Sequence, residues 1–164
     1  MATDEPSIHP VGRLARPKLH EGGRRRVLVD ERAHVVPALI RKCVEQDTIY
    51  VLGTGRERRE FIYVKDVVRG MLAALESGKA GRAYNLGTGG ATSISILELL
   101  LNLKRLLGVP DKPHQFYHAH DPGDDERWSD ASRAGIELGW EYRVGLDEGL
   151  RRTVECYKET LTST

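Results

Sequence analysis

From His34 onward the apolar residues alternate between two repeats, one of about 3.6 residues and one of two, which confines the chain to layers of helix and strand. "HVVPALIRKCVEQ" puts Val36, Leu39, Ile40 and Val44 on one helical face, with Pro37 tolerated in the first turn. "TIYVLG" then reads as a strand closed by glycine, "GTGRERRE" as a polar loop, and Phe61 to Val64 as a further strand-forming run. Asp66 is placed as an N-cap, because Val67, Val68, Met71, Leu72 and Leu75 recur after it at helical spacing. "RAYNLG" reads as another strand. The helix "SILELLLNLKRLLG" opens on a Ser95/Glu98 capping box and ends at Gly108 and Pro110. "HQFYHAH" reads as a strand, "DPGDDE" as an acidic loop, and Asp130 to Leu138 as a short helix. A last helix runs from Leu146 to about Leu161, with Leu146, Leu150, Val154, Tyr157 and Leu161 on one face and Asp147 and Glu148 in its first turn. The fold class is α/β.

Residues 1–33 break this pattern. They hold "RRR" at Arg24 to Arg26 and no apolar period, so they read as an irregular basic arm with a short strand at "RVLVD", preceding one domain over residues 34–164. Across all 164 residues, 25 Lys and Arg face 24 Asp and Glu, so no global field draws the chain to nucleic acid or to an anionic membrane. The arm lacks interleaved aromatics, which argues against nucleic acid there too. No apolar run nears the roughly 18 residues of a membrane span, and the amino terminus lacks the order of a signal peptide. Cys43 and Cys156 lie far apart and outside any CxxC, as reduced thiols of a cytoplasmic protein would.

Most catalytic signatures are missing. Gly87 and Gly89 begin a GxGxxG, but Thr92 stands where its third glycine belongs, and neither glycine loop carries the lysine of a P-loop. No GxSxG is present. His118 and His120 share a strand face near Asp121, Asp124 and Asp125, but without a third histidine or spaced cysteines they read as a solvated strand end, not a metal site. Arg56, Arg58 and Arg59 remain: their fork-shaped donors suit phosphate, or else pair with Glu57 and Glu60 at the surface. On an extended segment Arg58 and Arg59 face opposite sides, so one pocket takes only one of them.

"HVVPALIRK", "VLGTGRERREFIYVKDVV", "AYNLGTG", "DASRAGIELGW" and "GLDEGLRRTVE", in that order, resemble the carboxyl-terminal half of an extended short-chain dehydrogenase/reductase. Within that family the wording is most similar to NAD-dependent epimerase/dehydratase and GDP-fucose synthase-like members. The resemblance implies a partial Rossmann-type sheet and a substrate domain for a nucleoside-diphosphate sugar. It further implies that Arg59 grips the diphosphate, that Tyr50 to Gly53, including Leu52, form the strand passing the base, and that the helix from Val35 begins beside the substrate. Asp66 and Asn85 match structural positions. Where many relatives have an arginine before the proline, this chain has "DPGD", and Arg127 is the candidate substitute.

The family's glycine fingerprint and YxxxK pair do not occur here: four positions after Tyr50, Tyr63, Tyr84, Tyr117, Tyr142 and Tyr157 stand Thr54, Val67, Thr88, Asp121, Leu146 and Leu161. The expectation is therefore a substrate-binding portion that is not catalytic alone and binds no cofactor by itself, NAD(P) being implied for the complete enzyme. It would act as a homo-oligomer or with a complementary nucleotide-binding half, because "RAYNLG" would otherwise leave a sheet edge open. The alternative is a non-catalytic or structural module, or a truncated gene product.

Overall fold

The computed structural model describes residues 34–117 and 126–162. The basic arm with its expected strand, His118, His120 and the acidic residues 121–125 lie outside the described residues. In chain order the elements are α1 (Val35–Glu45), β1 (Ile49–Leu52), β2 (Arg58–Glu60), α2 (Val64–Ser77), β3 (Ser93–Ser95), α3 (Ile96–Leu107), β4 (His114–Tyr117), β5 (Glu126–Arg127), α4 (Ser132–Leu138) and α5 (Leu146–Thr162). The alternation read from the sequence is an α/β arrangement.

Local chemistry sets the clearest boundaries. Ser95 Oγ accepts from the Glu98 amide while the Glu98 carboxylate accepts from the Ser95 amide, so the expected capping box opens α3. Gly108 closes it at φ +77°, a conformation that glycine adopts without a Cβ penalty. Asp147 and Glu148 sit in the first turn of α5, where the helix dipole favours anions.

The strands form two sheets. β1 pairs with β4 in parallel, and β2 lies between antiparallel β3 and parallel β5. Leu39, Ile40 and Cys43 of α1, Ile49 and Val51 of β1, Leu99, Leu100 and Leu103 of α3, and Leu150 and Val154 of α5 make one core. Each such aliphatic side chain contributes about 1.5–3 kcal/mol by leaving water. α2 and α4 pack together at one side, where Trp140 is buried and its Nε1 donates to the Asp66 carbonyl at 3.0 Å.

Four sequence expectations need correction. Asp66 does not cap α2: the helix begins at Val64 with Tyr63 at the N-cap position, and Asp66 lies in the first turn. Its carboxylate is buried instead, accepting from the amides of Arg143 and Val144 and from Arg69, and so ties α2 to the chain that precedes α5. The strand expected at Phe61 to Val64 lies at Arg58–Glu60, because backbone partners on β3 and β5, distant in sequence, outweigh the β-propensity of the next residues. "RAYNLG" forms no strand among the described residues, since nothing pairs with it. Finally, Val44 is exposed and Cys43 takes its place on the buried face of α1.

Burial alone would raise the Asp66 pKa, but the Arg69 hydrogen bond and the Val144 and Arg143 amides outweigh it and hold the group below the usual carboxylate range. A depressed folded pKa contributes stability that is present above the ordinary value of about 4 and lost as pH falls through the folded value. Asp66→Ala removes the acceptor and leaves two amides and Arg69 without it, so urea unfolding at neutral pH should show a loss of about 3 kcal/mol. The gap between wild type and variant should narrow on acidification; an unchanged midpoint for the variant would refute this role.

Candidate anion-binding face

The three-stranded sheet brings together two residues that lie far apart in sequence. Arg59 of β2 and Arg127 of β5 are register partners on parallel strands, so their side chains leave the same face of the sheet. Arg59 is half-buried and donates from Nη1 to the Arg58 carbonyl at 2.6 Å, whereas Arg127 is exposed. Two planar forks on neighbouring strands offer an anion more N–H donors than one does.

Arg58 points the other way, as strand parity requires. Its guanidinium donates to the Ser93 carbonyl at 2.8 Å and pairs with Glu98 at 3.5 Å and Glu126 at 3.6 Å. The surface pairing weighed for the arginine cluster therefore exists at Arg58, but its partners are Glu98 and Glu126, not Glu57 and Glu60. A cleft of about 420 Å³ opens on this side, lined by Arg58, Thr92, Ser93, Glu98 and Asn102 among others.

Glu60 sets the geometry of the sheet. Oε1 accepts from Thr88 Oγ1 and from the amides of Thr88 and Gly90 at 2.7–2.9 Å, and Oε2 accepts from the Ser129 amide at 3.0 Å. One carboxylate thus joins β2, the glycine loop and the exit of β5. Burial would raise its pKa, but the Thr88 hydroxyl and the Gly90, Thr88 and Ser129 amides together lower it. Sequence reading treated Glu60 only as a partner for arginine, because its own partners are some 28 and 69 positions away.

Glu57, unlike half-buried Glu60, is buried, and burial would raise its pKa. The Thr54 amide and hydroxyl overcome that effect, accepted by Oε1 at 2.7 and 3.0 Å, while Oε2 has no partner. This bond closes the loop from β1 to β2, and Gly55, at φ +79°, lets Phe116 pack where a Cβ would stand.

The remaining expected site residues sit apart from the arginines. Tyr50 and Leu52 lie on the separate β1–β4 sheet, on the face opposite buried Ile49 and Val51; Tyr50 is half-buried and Leu52 is 51% exposed. Val35 packs against the core at the start of α1. Trp128, 55% exposed beside Arg127, went unremarked in the sequence because a lone tryptophan carries no pattern. No group of three metal-ligating side chains occurs among the described residues. Nor is any helix among them long and apolar enough to cross a membrane.

Residues 12–87 match the NAD dependent epimerase/dehydratase family. The chain is 35% identical over 117 residues to the UDP-glucuronate 4-epimerase of Thermodesulfobacterium geofontis, a match covering 71% of this chain and 35% of that protein. It is 32% identical over 130 residues to dTDP-glucose 4,6-dehydratase 1 of Escherichia coli, covering 75% and 36%. Among solved structures, UDP-glucose 4-epimerase of Thermotoga maritima, crystallised with UDP-glucose, superposes with a TM-score of 0.68 at 32% identity, covering 79% of this chain and 40% of that one. An epimerase of Methanothermobacter thermautotrophicus gives 0.72 at 27% identity, covering 79% and 38%. The chain spans little more than a third of the length of these curated relatives.

Glu60→Gln keeps the shape but turns an amide N–H2 toward a donor, either Ser129 or the Thr88–Gly90 loop. Urea unfolding at neutral pH should show a loss of about 1–3 kcal/mol. Because the folded pKa is depressed, the wild type loses Glu60's contribution only as pH falls below the ordinary carboxylate value, so the acid limb of the variant should be flatter. Parallel acid limbs would contradict the hub.

Proposed function

Because this chain belongs to the NAD-dependent epimerase/dehydratase family, we propose that its three-stranded sheet grips the diphosphate of a nucleotide sugar for an epimerase, dehydratase or reductase. The observation that carries this reading is the register of Arg59 with Arg127, which concentrates two bidentate donors on one face. Glu60 holds that register rigidly, so little ordering remains to be done when the ligand arrives. Half-buried Tyr50 and exposed Leu52 offer a strand face toward the base, and α1, which opens at Val35, begins beside the substrate. The thiols of Cys43 and Cys156, neither in a disulfide, suit a cytoplasmic setting.

The family implies NAD, and the glycine loop is the place to test for it. A dinucleotide's pyrophosphate needs free amides at such a turn. Here the Thr88 and Gly90 amides are already donated to Glu60, so the loop does not fit the cofactor. Hydride and proton transfer are assigned to no residue of this sequence. A second reading, a sugar-nucleotide-binding module without catalysis, is favoured by the missing YxxxK pair.

Calorimetric titration with UDP-glucose, UDP-glucuronic acid and dTDP-glucose, with NAD as control, tests the proposal. Arg59→Ala and Arg127→Ala should each weaken sugar-nucleotide binding about tenfold to a hundredfold, the value of one charge-assisted contact. Arg58→Ala should leave it within about twofold, its guanidinium being paired on the other face. Binding untouched by both Arg59 and Arg127, or absent from the wild type, would overturn the reading.

A further inference from the structure

Lys104 stands where the pattern of α3 calls for a leucine. Ile96, Leu99, Leu100 and Leu103 line the buried side of the helix, and Lys104, one turn after Leu100, is buried with them at 4% exposure. The helix dipole favours a cation in the last turn, but exposed Arg105 already answers to that, and the dipole gives no reason to take a charge out of water. Nor does the burial come with a partner. Half-buried Lys42 and Lys112 each donate to a carbonyl, Lys42 to Tyr50 at 2.8 Å and Lys112 to Cys43 at 2.6 Å. The more deeply buried Lys104 ammonium makes no hydrogen bond or ion pair among the described residues.

Its surroundings hold further donors and no counter-charge. α1 and α3 pack side by side in the core, and the Lys104 charge acts on both the Cys43 thiol and the His114 ring, while the Lys112 charge acts on the same thiol. The ladder sets His114 beside buried Ile49, on the inner face of the β1–β4 sheet. Among the described residues no carboxylate pairs with Lys104, Lys112 or His114, and Asp111, next to Lys112, is exposed. Burial pushes the Cys43 thiol up, so it stays neutral and supplies no negative charge. The unpartnered side-chain atoms sealed from solvent lie elsewhere, on Glu57 and Tyr117, so the tip of Lys104 stays within reach of a dissolved ion.

We propose that Lys104, Lys112 and His114 form a site for a small oxyanion, a phosphate dianion either free or as a monoester. A buried cation without a counter-charge is costly, and an anion between these three groups offsets that cost. Lys112 keeps two N–H donors beyond the one given to Cys43, and the imidazole keeps at least one. The site lies on the β1–β4 sheet, whereas the sugar-nucleotide reading rests on Arg59 and Arg127 of the other sheet.

The test is thermal unfolding of the full chain in potassium phosphate, glycerol 3-phosphate or potassium chloride at equal ionic strength, beside NMR of the His114 ring proton, assigned with His114→Gln. In the wild type, phosphate should raise the midpoint along a saturating curve and move the His114 signal with the same dissociation constant. Tighter binding of glycerol 3-phosphate names a monoester as the ligand, and tighter binding of inorganic phosphate names the free ion. Lys104→Met should abolish both effects, and Lys112→Met should weaken them about tenfold. Arg59→Ala/Arg127→Ala should keep them, so this site and the sugar-nucleotide face fail independently. In chloride, Lys104→Met should unfold no lower than the wild type, because it removes an unpaired buried charge. Four results overturn the site: no saturating response, an equal response in Lys104→Met, a response lost with the two arginines, or a lower midpoint for Lys104→Met in chloride, which would make the lysine a structural support.

Discussion

Three separate stretches of this chain meet at one carboxylate. Glu60 accepts from the Thr88–Gly90 loop on one oxygen and from Ser129 on the other. A short central strand has few ladder bonds of its own, so side-chain ties to both neighbours decide whether its register holds. Without that register Arg59 and Arg127 would not face the same way. Asp66 performs the same task at the other end of the segment, binding the amides of Arg143 and Val144. Two acids six positions apart, half-buried Glu60 and buried Asp66, hold the strand-to-helix passage in place.

What the sequence made legible were the features written in adjacent residues. The capping box of α3, its glycine stop and the acidic first turn of α5 each need only a few neighbouring side chains, and each stands where it was read. The family resemblance was likewise readable, because its motifs follow one another in order. Strand placement was not, since β2 consists of two arginines and a glutamate, residues with little strand preference that pair with partners far along the chain.

α2 shows a different limit. Helical spacing predicted its apolar face correctly, but spacing says which residues share a face and nothing about what that face meets. Of the residues read at that spacing Val68, Met71, Leu72 and Leu75 are exposed, while the buried side of the helix holds Asp66, whose carbonyl accepts from Trp140, and Gly70, against which Leu86 packs. For the arginines, parity separated Arg58 from Arg59 in advance. The juxtaposition with Arg127 could not be read, because it depends on a parallel pairing across more than sixty residues.

β5 is two residues long and is held to β2 by a single short register. A strand of that size sits at the low end of local stability. Under the proposed function, an anion lying across Arg59 and Arg127 would be a cross-link between the two strands as much as a guest upon them. Occupancy and the ordering of β5 then become one equilibrium, in which whatever frays the strand weakens the ligand and whatever binds tightly mends the edge of the sheet.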